Sequence, residues 1–201
     1  MNKSILERIH ALGGDISQTK GVSLIDDLQT ITFKNVLHFK DNDEPFYDFY
    51  NFYKVNQSLN TNEFIDKAIA EYYISCDDED STVGQAFWRG YLFTPLTPNT
   101  IDYDEWHDDF DDMDLSQFLA VTNGQPPEFL ILIYSYGYPD HYFICANDVS
   151  DNPTVFSTDH EVYFDEIENE GFLLDFLNRF MSKQESRTYI QNFLDEVKNI
   201  E

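Results

Sequence analysis

Eighteen Phe and thirteen Tyr among 201 residues constrain this chain more than any other feature. Each large ring buries far more area than a Val or an Ala, so the rings must supply much of a folded core. The chain is long enough to bury a sizeable one, as a single domain or a domain with a subdomain. The same sequence carries 38 Asp plus Glu against 12 Lys plus Arg, a formal net charge of −26. Disorder goes with high charge and few aromatics, and this chain has the charge without that poverty.

The hydrophobic periodicity sets the element order. Ile5, Leu6, Ile9 and Leu12 share one face of a short helix over residues 3–12, which Gly13-Gly14 stops. From Ile31 to Phe39, alternation of Ile31, Phe33 and Phe39 with Thr32, Lys34 and His38 predicts a half-buried strand. The aromatic stretch Phe46 to Tyr53 follows with no resolvable period. Asn60 and Glu63 have the spacing of a capping box, opening a helix through Phe64, Ile65, Ala68, Ile69 and Tyr72. Asp77-Asp78-Glu79-Asp80 ends it in a solvated loop. Residues 86–94 read as a strand, stopped by Pro95 and Pro98.

A short helix over Leu115 to Val121, with Phe118 and Leu119 inward, is closed by Asn123-Gly124. Phe129 to Ser135, FLILIYS, is an apolar run of strand length. Gly137-Tyr138-Pro139-Asp140 then turns the chain into a second strand, His141 to Cys145, and a third lies around Thr154 to Phe156. One helix gathers Phe172, Leu173, Phe176, Leu177 and Phe180, and a last one gathers Tyr189, Ile190, Phe193, Leu194 and Val197. Helices, a strand meander and helices again predict an α+β domain with an antiparallel β-sheet flanked by helices.

The acid is concentrated as well as abundant. Between Asp102 and Asp114 eight of thirteen residues are acidic and none is Lys or Arg. Such a field speeds association with a cationic partner and repels nucleic acid and anionic membranes. Tyr103, Trp106 and Phe110 are interleaved with the acids, and exposed aromatics beside charge are typical of protein interfaces. The expected partner-binding residues are therefore Tyr103, Asp104, Glu105, Trp106, Asp108, Asp109, Asp111 and Asp112, with Trp106 as anchor. The competing reading is that the acids keep the chain soluble, while Trp106 and Phe110, four apart, pin the run to the core.

Other chemistries find less support. An EF-hand loop needs acid at its third position and Gly at its sixth. Counted from Asp108 the third position is Phe110, and counted from Asp109 the sixth is Asp114. Asp159-His160-Glu161, with His107 and His141, offers imidazoles but neither HExxH nor HxH spacing, and an Asx turn is the commoner role there. Ser135, Ser157 and Cys145 lack a nucleophile motif. Gly13-Gly14 lacks the Lys-Ser/Thr of a phosphate loop, and basic nucleic-acid patches are absent. No catalytic residue, metal or cofactor is expected. Cys76 and Cys145 form no ligand spacing and read as buried free thiols. With no apolar run near the eighteen or so residues of a membrane span, and Glu7, Arg8 and His10 where a signal peptide is apolar, a cytoplasmic protein is expected.

Residues 128–181 resemble the SUKH superfamily of bacterial toxin-immunity proteins, named in part for yeast cell-wall regulators. The resemblance lies in the strands Phe129–Ser135 and His141–Cys145, the segment Asn152 to Phe156, the pair Asp159-His160, and Leu174-Asp175-Phe176-Leu177. It implies one SUKH-like domain over 1–201, with 128–201 most family-like and 1–127 a divergent or elaborated part. The Leu-Pro step and Asn-Gly that open the family find their nearest counterparts late, at Phe118-Leu119 and Asn123-Gly124. It further implies a non-catalytic cytosolic protein that binds and occludes a cognate basic toxin, such as a nuclease or deaminase. The alternatives are a regulatory or scaffold module for an endogenous partner, and a metal-dependent enzyme using the acidic run and a histidine.

Overall fold

The expected α+β architecture with an antiparallel sheet is the one found, in a computed structural model that describes residues 2–40, 49–72, 85–111, 113–121, 128–135, 139–162 and 164–200. The strands are β1 (Leu37–His38), β2 (Gln85–Phe93), β3 (Phe129–Ser135), β4 (His141–Cys145), β5 (Thr154–Thr158) and β6 (Glu168–Phe172). They pair antiparallel in sequence order, β1-β2-β3-β4-β5-β6. The helices are α1 (Lys3–Ala11), α2 (Leu24–Thr30), α3 (Phe49–Asn56), α4 (Thr61–Tyr72), α5 (Ile101–Asp111), α6 (Ser116–Val121), α7 (Leu173–Asn178) and α8 (Lys183–Ile200).

Both faces of the sheet are covered by side chains of different kinds. On one face Leu130, Leu132, Ile133, Tyr142, Ile144 and Val155 pack on Ile5 and Ile9 of α1, Leu28 of α2, and Leu173, Phe176 and Leu177 of α7. On the other, Phe93, Phe129, Ile131 and Phe143 meet Phe110 of α5 and Phe164 in an almost wholly aromatic cluster. Phe164 stacks on Phe129 at 5.0 Å, and its φ of 65° is a left-handed conformation that a bulky residue holds only when packing outweighs the strain. A separate core joins Phe49 and Tyr53 of α3, Phe64, Ile65 and Ala68 of α4, and Ile190, Leu194 and Val197 of α8.

The central pair β2–β3 is interrupted by a bulge. Trp88 pairs with Ile133 and Tyr91 with Ile131, so Arg89 and Gly90 together oppose Leu132. Gly90 has φ +54°, and a Cβ there would lie 2.8 Å from the Leu28 carbonyl oxygen, so α2 can approach β2 only because the side chain is absent.

Several elements follow the sequence pattern closely. The capping box at α4 forms in both directions, Glu63 N–H donating to Asn60 Oδ1 at 3.1 Å and Asn60 N–H to Glu63 Oε2 at 3.3 Å. The β3–β4 hairpin and β5 lie where the apolar runs and turns placed them, and Cys145 is buried and unbridged. Burial pushes its thiol up to about 11.

Others differ. The strand expected over 31–39 shrinks to Leu37–His38, with α2 before it and isolated bridges from Thr32 to Asp15 and from Phe39 to Phe180 in place of a continuous ladder. Leu119 is 41% exposed rather than inward, since α6 is a short surface helix. Phe172 is 56% exposed: it ends β6 and caps α7 instead of joining its buried face. Tyr189 likewise points outward, at 45% exposure. Asp77–Asp80, Cys76, Asn123-Gly124 and Gly137-Tyr138 lie outside the described residues.

An ionic junction joins the sheet's helices to α8. Ser182 and Glu185 form a capping box, Ser182 N–H donating to Glu185 Oε2 at 2.7 Å and Glu185 N–H to Ser182 Oγ at 3.2 Å. Arg8 of α1 and Lys40 meet the same carboxylate at 3.2 and 2.8 Å. Burial alone would raise the Glu185 carboxyl; the hydrogen bonds from Lys40 and Ser182 and the charge of Arg8 outweigh it and hold it at about 2, against an ordinary 4.5. A carboxyl with a depressed folded pKa adds stability that is present above its unfolded value and is lost on acidification. Acid titration of the wild type should therefore show a loss between about pH 4.5 and 2 that is missing from the Glu185→Gln variant, measured by chemical unfolding at each pH. Gly90→Ala should cost roughly 1–3 kcal/mol, read from the urea midpoint, because it adds both strain and a clash with α2.

Candidate functional site

The acidic run is a helix, α5, and its period sorts the residues into two faces. Asp102, Trp106 and Phe110, four apart, turn inward with Tyr103 and His107; Asp104, Glu105, Asp108 and Asp109 turn to solvent. Phe110 is buried against Phe93 and Phe164, and Trp106 meets Phe93 edge-to-face at 6.0 Å. The pinning of the run to the core by these two rings is thus found, on a helix. Ile101, 76% exposed, is the prominent exposed apolar side chain of α5.

The start of α5 is held by two side chains. Thr100 Oγ1 accepts from Tyr103 N–H at 3.2 Å, an N-cap, and its hydroxyl also reaches the Thr94 and Thr97 carbonyls. The buried Asp102 carboxylate accepts from Thr94 N–H at 2.8 Å, from Thr94 Oγ1 at 3.1 Å and from the Tyr91 hydroxyl. A carboxylate in the first helical turn also suits the dipole. Burial, then the hydrogen bond and charge of Asp102, push the Tyr91 phenol up to about 12. His107 stacks on Tyr103 at 4.5 Å, its Nδ1 lies 2.6 Å from the Tyr103 carbonyl and its Nε2 3.1 Å from Asp108.

Of the eight expected partner-binding residues, α5 brings Asp104, Glu105, Asp108 and Asp109 onto one exposed stripe. Tyr103 and Trp106 belong to its inner side. Asp111 is the last residue of the helix, and Asp112 lies outside the described residues.

Beyond the part of the sheet that α5 covers, the same face is open. Arg89, Tyr91, Ile131, Tyr134 and His141 line a groove of about 550 Å³. The bulge creates it, since Arg89 is the extra residue of β2 and Tyr91 resumes the ladder. The Arg89 guanidinium lies 5.5 Å from the centre of the Tyr134 ring. Periodicity could not expose this groove, because a bulge shifts which residues share a face.

His141, at the groove's end, belongs to a second cluster. Its Nδ1 lies 2.7 Å from Oδ1 of the buried Asp140, which also accepts from His160 N–H at 3.1 Å, while Asp140 Oδ2 lies 2.8 Å from His160 Nδ1. Asp159, also buried, accepts from Glu161 N–H at 2.9 Å, the Asx-type turn expected there. Asp159 Oδ1 is 3.6 Å from His160 Nδ1. The hydrogen bond to the Asp140 carboxylate leads the causes that raise the pKa of His160 above its ordinary value.

No family model, curated protein or solved structure matches the chain. Among the described residues no helix is long and apolar enough to cross a membrane.

Removing the tether of α5 tests its placement. Asp102→Ala leaves the buried Thr94 N–H without its acceptor and should cost about 1–3 kcal/mol. It should also move the Tyr91 phenol back down from about 12 in an NMR titration. A stability equal to wild type would show that α5 is held by its rings alone.

Proposed function

We propose that this chain is a non-catalytic cytosolic binding protein of the immunity type, which occludes a basic protein partner, a nuclease- or deaminase-class toxin, by steric blocking and charge complementarity. The observation that supports this is the stripe on α5. Asp104 and Asp108, Glu105 and Asp109, and Glu105 and Asp108 stand at i,i+4 or i,i+3, where like charges destabilise a helix. Asp108 and Asp109 also lie toward the C-terminal end, where the helix dipole favours cations, and the last turn carries no basic residue. A solubilising surface has no need to stack its acids this way. A cationic partner relieves the repulsion and gains association rate from the field. Nucleic-acid-cleaving toxins hold phosphates on basic surfaces, which fits the resemblance of residues 128–181 to immunity proteins.

Two measurements test the reading. Asp104→Asn, Glu105→Gln, Asp108→Asn and Asp109→Asn combined should stabilise the free protein by about 0.2–0.5 kcal/mol per relieved pair. The same variant should lose rescue of growth against the product of the adjacent gene. It should also bind that product with a slower association rate and a weaker salt dependence than wild type. Full rescue, or an unchanged rate at low salt, would remove the stripe from the interface.

A further inference from the structure

We propose that Asp140, Asp159 and His160 form a binding site for a single divalent transition ion of the Zn²⁺ class, at the Ser135 end of β3, away from α5. The ligand atoms of the three side chains all lie within 4.8 Å of one another. They come from two segments, the start of β4 and the turn after β5, so only pairing of the strands assembles them.

Charge is the first argument. Asp140 and Asp159 are 4% and 3% exposed, and buried carboxylates are paired with a cation or coordinate a metal. Among the described residues, their ion-pair partners are His141 and His160, with no Lys or Arg. A divalent cation would bridge both carboxylates at once, in a chain whose net −26 draws cations to it.

Geometry is the second. Two carboxylate oxygens and one imidazole nitrogen are a mixed N/O donor set, suited to Zn²⁺ and poor for Ca²⁺, which takes six to eight oxygens. Tetrahedral Zn²⁺ with ligands at about 2.0–2.1 Å spaces neighbouring ligands about 3.3 Å apart. The separations from His160 Nδ1, 2.8 Å to Asp140 and 3.6 Å to Asp159, bracket that value. The ion would sit between Asp140 Oδ2 and His160 Nδ1 in place of their direct contact.

The outer partners are also in place. Asp140 Oδ1 is occupied by His141 Nδ1 and His160 N–H, which turns Oδ2 toward the site, as the carboxylates of metal centres are turned. The His160 side chain is 65% exposed, so the ion arrives from solvent and keeps an open fourth position there. His141 connects the site to the groove of Arg89 and Tyr91.

The inference does not depend on the partner reading, and its test uses the metal alone. The full-length protein, stripped with chelator, should bind one Zn²⁺ per chain in calorimetry and gain melting temperature with Zn²⁺ but not with Mg²⁺ or Ca²⁺ at equal concentration. Asp159→Asn and His160→Gln should each weaken binding more than about 100-fold, and His141→Ala roughly 10–100-fold. His160 is exposed enough that its variant keeps the fold, which near-ultraviolet circular dichroism verifies. Asp108→Asn with Asp109→Asn should leave Zn²⁺ affinity unchanged. Absence of saturable one-to-one binding would overturn the proposal, and so would binding that survives both Asp159→Asn and His160→Gln or that is lost with the acids of α5.

Discussion

Burial of β3 on both faces is the constraint that the other elements answer. A strand reading Phe-Leu-Ile-Leu-Ile has no polar side to turn to water, so the sheet needs a layer above and a layer below. Aliphatic helices α1, α2 and α7 supply one; the aromatic cluster built on Phe110 and Phe164 supplies the other. The Gly90 bulge sets how these layers meet the strands, because it admits α2 on one side and opens the groove on the other. Both candidate sites border that second layer: α5 packs on it through Trp106 and Phe110, and the Asp140 cluster lies at the start of β4.

The charge and the core are coupled through α5. Its exposed acids oppose one another, and the helix persists because Asp102, Trp106 and Phe110 hold it from beneath. Tertiary packing is thus what lets a repulsive surface stay ordered, in keeping with the small part that propensity plays in helix stability. The field becomes a presented stripe instead of a diffuse excess.

Legibility followed the length of the pattern. The α1 face, the Asn60–Glu63 cap and the β3–β4 hairpin each rest on a local pattern of residues and lie where it placed them, and so does the buried stripe of α8 apart from the exposed Tyr189. β6 was illegible: Glu168-Asn169-Glu170-Gly171-Phe172 has no alternation, and it pairs at an edge through backbone and through Glu170, which accepts from Ser157 Oγ at 2.7 Å. α2 was hidden by Asp26 and Asp27, the latter buried because its carboxylate accepts from the N–H groups of Lys20 and Gly21. Hydrophobic period says nothing about a polar residue whose partners are backbone groups of the preceding loop.

The sequence by itself determined that this chain folds around aromatic side chains, that its sheet is antiparallel, and that its negative charge peaks between Asp102 and Asp114. Those properties depend on composition and short-range period, which a linear string carries in full. Tertiary structure alone decided which four acids share a face, that Trp106 turns inward toward Phe93, and that Asp140 meets Asp159 and His160. Each of these requires two segments to be brought together by strand pairing or helix docking, and no spacing along the chain encodes a distance across the sheet.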